Sequence, residues 1–109
     1  MESPERFKSE LTELLKKAIK VFCFNIGGQV KLYGTVSEIY DLIITDNDLL
    51  DGEHSVYCDI RIELNIKDRA SERCKIRIDY YIKGKGVYVK YPLMVESHSF
   101  SAKVLAKAK

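Results

Sequence analysis

The chain has no tryptophan, two prolines, two histidines and three cysteines, and no apolar run long enough to cross a bilayer. Each scarcity excludes something. An odd set of cysteines, Cys23, Cys58 and Cys74, without metal-like spacing gives neither a disulfide framework nor a zinc site, so free thiols are expected. No Gly-x-Ser-x-Gly elbow, phosphate-cradling glycine loop or Cys-His pair occurs, and Gly84-Lys85-Gly86 is hairpin rather than Walker chemistry. The expectation is a non-enzyme with no catalytic residues, no metal and no cofactor. A net charge of +2 is far from the strongly basic balance of dedicated nucleic-acid binders. Residues 1–8 lack the apolar core of a secretory signal, so the reading is a soluble cytoplasmic protein with no membrane contact. No repeat or linker divides the 109 residues, which are read as a single domain, 1–109.

What is present is apolar alternation. In 55–67, Val56, Cys58, Ile60, Ile62, Leu64 and Ile66 alternate without a break against polar neighbours, the signature of a strand with one buried and one wet face. The stretches 74–83 and 86–96 alternate in the same way. A Gly84-Lys85 turn joins them as a hairpin, with Ile82 facing Val87, Tyr80 facing Val89, Ile78 facing Tyr91, Ile76 facing Leu93 and Cys74 facing Val95. Joining 55–67 to 74–83 through a loop centred on Arg69, Ala70 and Ser71 again matches apolar with apolar. That register sets Glu63 opposite Arg77 and Arg61 opposite Asp79, an alternation of charge that favours it.

Ahead of the strands, Pro4 after Ser3 opens an amphipathic helix at 4–23, with Phe7, Leu11, Leu14, Leu15, Ala18 and Phe22 on one side and Glu13 one turn from Lys17 on the other. The 21–26 stretch reads as the last turn of this helix, with a short strand entering a Gly27-Gly28 hairpin as the alternative. Residues 29–36 and 38–45 read as two further strands, with a helix capped by Ser37 as the alternative for the second, 46–54 as an acidic loop, and 97–109 as a tail with or without a short helix. The predicted fold is α+β: one N-terminal helix packed on one face of a four- to five-stranded antiparallel meander. In outline this layout resembles the cystatin-like architecture, which hosts many unrelated functions and so implies no activity.

Candidate sites are few. Asp46, Asp48, Asp51 and Glu53 are the carboxylates that could hold a divalent cation, but their spacing departs from the EF-hand pattern at the glycine and at the terminal glutamate, so a solvated turn is the reading. The chosen register puts His54 and His98 beside points fifteen residues apart on one strand, roughly 50 Å, which forbids a shared site. The one cluster above background is aromatic and basic: Tyr81 faces Tyr88 on the wet side, Tyr57 lies diagonally across, and Lys83, Lys85 and Lys90 surround them. Tyrosines rimmed by lysines suit stacked single-stranded bases; a tyrosine-rich wet face equally suits a protein partner. The expected function is a non-catalytic binding or assembly module working through the outer face or edge of its sheet, self-associating or bound to a protein partner. Single-stranded nucleic-acid binding is one alternative. An apolar ligand cup between helix and sheet, lined by Ile62, Ile78, Tyr80, Val89 and Tyr91, is the other.

Overall fold

The structure is a computed structural model, and it describes residues 4–21, 24–26, 30–32, 34–64 and 71–98. The fold is α+β. Helix α1 spans Pro4–Lys20, with Glu5 in its first turn and Lys17 and Lys20 in its last, matching both ends of the helix dipole. It ends short of the expected residue 23. Phe24–Ile26 (β1) instead pairs antiparallel with Val30–Leu32 (β2), which realises the hairpin alternative around the two glycines. Phenylalanine and β-branched side chains favour the pleated surface over another helical turn.

The main sheet is antiparallel and five-stranded. Its path is β3 (Gly34–Tyr40), β4 (Gly52–Leu64), β5 (Ser71–Lys83) and β6 (Gly86–Val89), with β7 (Met94–His98) also pairing β5. The expected strands at 29–36 and 38–45 are divided differently. Residues 30–32 belong to the small hairpin, while 34–40 form one strand with a bulge between Val36 and Glu38. That strand stops at Asp41, whose positive φ of 56° places it in the left-handed region. A single 3-10 turn, Asp46–Leu49, then precedes β4.

The expected single strand at 86–96 is interrupted at Pro92. Proline has no N–H to donate to the ladder, so β6 and β7 pair separate lengths of β5. Near the turn the expected register holds, with Ile82 opposite Val87 and Tyr80 opposite Val89. Past the proline it does not: Ile76 faces Val95 and Cys74 faces His98.

The β4–β5 register also differs from expectation. Arg77 lies opposite Tyr57 rather than Glu63, Asp79 opposite Ser55, and Arg61 opposite Arg73, a slip of six residues. An even slip leaves every side chain on its own face, so the apolar pattern is equally satisfied. The expected pairs Glu63–Arg77 and Arg61–Asp79 are therefore not formed.

One core results. Leu11, Leu15, Ala18 and Ile19 of α1 pack over Val56, Cys58, Ile60 and Ile62 of β4 and Cys74, Ile76, Ile78, Tyr80 and Ile82 of β5, with Val36, Ile44 and Leu93 closing the margins. Each such aliphatic side chain contributes about 1.5–3 kcal/mol on burial. The stripe is rotated from the expected one: Ile19 is fully buried while Leu14 is left 38% exposed. Of the residues expected to line a ligand cup, Ile62, Ile78 and Tyr80 are wholly covered, while Val89 is half-buried and Tyr91 is exposed at the margin of the core. No helix among the described residues is long and apolar enough to cross a membrane.

Candidate interaction face

Strands β4 and β5 are thirteen residues each, and their odd-numbered side chains all point away from α1. Next to them the bulge at Ser37 reverses the parity of β3, so that Glu38 and Tyr40 join the same outer face opposite Arg61 and Asp59. Among the described residues, Arg61, Arg73, Lys75, Arg77, Lys83 and Lys90 on this face are matched by Glu38, Glu53, Asp59, Glu63, Asp79 and Glu96. The face is charge-balanced.

Tyr81 lies opposite Tyr88, their ring centroids 6.4 Å apart, as expected of the hairpin. Tyr88 is 60% exposed and Tyr81 36%. The Tyr88 phenol leans over Gly86, where an added Cβ would come within 2.9 Å of its hydroxyl, so the glycine makes room for the ring. Tyr57 does not join this pair. Tyr81 faces Glu53 on β4, and Tyr57 lies four residues further along that strand, roughly 13 Å away, opposite Arg77. There Arg77 separates it from exposed Met94 on the far side of β5, and Lys75 Nζ lies 6.0 Å from its ring centroid.

The lysines separate as well. Lys90 Nζ meets Glu53 Oε1 at 2.7 Å, and its N–H donates to the Asp79 carbonyl at 2.8 Å, extending the ladder one residue past β6. The hydrogen bond to Glu53 holds the Lys90 ammonium above its ordinary pKa. Lys83 closes β5 and Lys85 sits in the turn, both exposed, with the turn tethered by Gly84 N–H to Asp51 Oδ1 at 3.1 Å. The predicted cluster is thus divided by polar contacts, with Tyr81 and Tyr88 by the turn and Tyr57 in mid-sheet opposite Arg77.

Those contacts line a depression of about 310 Å³ formed by Glu53, His54, Ser55, Arg77, Asp79 and Lys90. Ser55 Oγ donates to Asp79 Oδ1 at 2.5 Å. Arg77 Nε is 3.2 Å from Asp79 Oδ1, off the hydrogen-bonding direction, and Arg77 Nη1 is 3.0 Å from Glu96. The neighbouring Asp79 charge raises the Arg77 pKa. His54 does not serve Ser55: its ring stacks on Tyr80 at 5.3 Å, and its Nε2 lies 2.5 Å from the Leu50 carbonyl. Chemically the depression is an ion-pair network with its charges already matched.

His54 faces Tyr80 and His98 faces Cys74, so the histidines reach β5 six residues apart, roughly 20 Å rather than 50 Å. They still share no site. The acidic loop is taken apart by its own partners. Asp46 pairs with Lys8 at 3.0 Å, Asp48 accepts from the Thr45 N–H and hydroxyl, Asp51 from Gly84, and Glu53 binds Lys90. No group of three His, Cys, Asp or Glu side chains among the described residues is placed to hold a metal ion.

Sequence reasoning missed Glu53 beside the tyrosine pair, Met94 across Arg77 from Tyr57, and Tyr40, over whose ring Arg73 lies at 4.9 Å. Only the correct register would have revealed them. The fold and this face define a small α+β domain with a tyrosine-studded sheet. No protein-family model matches the chain, and neither does any curated protein or solved structure.

Proposed function

We propose that the protein is a non-catalytic assembly module that self-associates through the outer face of its sheet. The observation that carries this reading is the composition of that face: exposed Tyr57, Tyr81, Tyr88 and Met94 set among equal numbers of cationic and anionic side chains. Tyrosine and methionine are enriched at protein interfaces, and a surface with both signs of charge can complement a second copy of itself about a two-fold axis. A polyphosphate partner would instead call for an excess of cations, which the Glu53–Lys90 and Arg77–Glu96 pairs remove.

Sedimentation velocity over rising protein concentration tests it. A reversible dimer is expected, dissolved by Tyr81→Lys, which adds a fourth basic side chain to Lys83, Lys85 and Lys90 beside Tyr88 without touching the core. A strict monomer at the highest concentration would end the proposal. Fluorescence anisotropy of labelled single-stranded oligonucleotides supplies the competing arm. Binding that weakens with salt and vanishes in Tyr81→Ala would reassign the face to nucleic acid.

A further inference from the structure

The opposite side of the molecule carries a second feature, independent of the outer face. Between the last turns of α1 and strand β6 runs an open groove of about 540 Å³, floored by Leu14, Ala18, Val21, Val87, Val89 and Tyr91. On the helix side the buried stripe of Leu11, Leu15, Ala18 and Ile19 turns away from Leu14 and Val21, and on the other side β6 is only four residues long. Val21 is left 79% exposed and Leu14 38%, contiguous with half-buried Val87 and Val89.

Lys17 and Lys20 stand on the helix side of this groove. Glu13, one turn before Lys17, pairs instead with Lys16 at 3.7 Å, and neither Lys17 nor Lys20 has an acidic partner among the described residues. Lysine lays its methylene stem along apolar surface and keeps its ammonium at the edge. An apolar floor with two unmatched ammonium groups at one side is complementary to a molecule with a long apolar tail and an anionic head. The last carbonyls of α1 repel an anion through the helix dipole, so the lysines must supply the attraction. The groove falls within the roughly 300–1,000 Å³ span of small-molecule sites.

We propose that this groove binds a free long-chain carboxylate, tail along Val87, Val89 and Leu14 and head on Lys17 and Lys20. The test is displacement of anilinonaphthalene sulfonate by dodecanoate, dodecanol and dodecylamine, each kept below its micelle-forming concentration. Dodecanoate should saturate a single site and bind at least about tenfold more tightly than the amine. The double change Lys17→Glu with Lys20→Glu should invert that order. Val21→Asp, at a position too exposed to matter for folding, should weaken dodecanoate by about tenfold with the circular dichroism and Tm unchanged.

Equal affinity for the three head groups, or an order untouched by reversing the lysines, would overturn the proposal, leaving only an apolar patch. Binding seen solely above the micelle-forming concentration would overturn it too. So would loss of probe binding in step with dimer formation by sedimentation, which would give the groove to a second copy.

Discussion

At the scale of single residues, the described thiols are the clearest case of environment setting chemistry. Cys58 and Cys74 face the core, and burial pushes each thiol up from 9.0 to about 12. Both therefore hold their protons in the folded chain and should resist alkylation at mildly alkaline pH until denaturant is added. The sign of the pH effect follows from the raised value. The stability they contribute is fully present below about pH 9 and is lost as pH rises through about 12, so the urea midpoint should fall over that window. A midpoint flat to the top of it would contradict their burial. Tyr80, fully buried, donates its hydroxyl to the Asp48 carbonyl at 2.8 Å and so ties the 3-10 turn to β5. Burial raises its pKa as well. Tyr80→Phe keeps the ring and strands that carbonyl, and should cost about 0.5–1.5 kcal/mol in urea unfolding.

Among elements, the β4–β5 pair decides what lies beside what. The register places Asp59 opposite Lys75 and leaves Tyr81 facing Glu53. A double-mutant cycle on Asp59→Asn and Lys75→Gln should return a coupling of about 0.2–1 kcal/mol, while the same cycle on Asp59 and Tyr81 should return none. The contrast shows how far the sequence could be read. The unbroken alternation of Val56 to Leu64 and of Cys74 to Ile82 made the strands, their faces and the covering helix legible, because a face is fixed by residue parity alone. Register is a different quantity, since sliding by six residues preserves parity and the apolar fit is blind to it. The alternating charges of Glu63, Arg77, Arg61 and Asp79 matched by coincidence. The bulge at Ser37 was hidden for a similar reason: an inserted polar residue reads as one more wet position. The reading of 86–96 as one strand passes over Pro92, although a proline within an alternating run argues against a continuous ladder. The tyrosine pair, fixed by a two-residue turn, was found; Tyr57, fixed only by the longer register, was misplaced.

For the whole molecule, the balance of charge on the outer face governs how association should respond to solvent. Self-association through a neutral, tyrosine-bearing surface should change little between low and physiological salt in sedimentation, whereas a phosphate-binding surface would lose affinity steeply. The irregularities of the sheet bear on the size any assembly reaches. On one margin β3 is kinked by the extra residue at Ser37, and on the other Pro92 cuts the pairing row into lengths of four and five residues. A growing filament needs an unbroken row of amides to template each incoming chain, and neither margin offers one. In the proposed dimer, two copies meeting face to face would satisfy each other and stop at two. The same small defects that defeat a simple reading of the strands therefore set a ceiling on polymerisation.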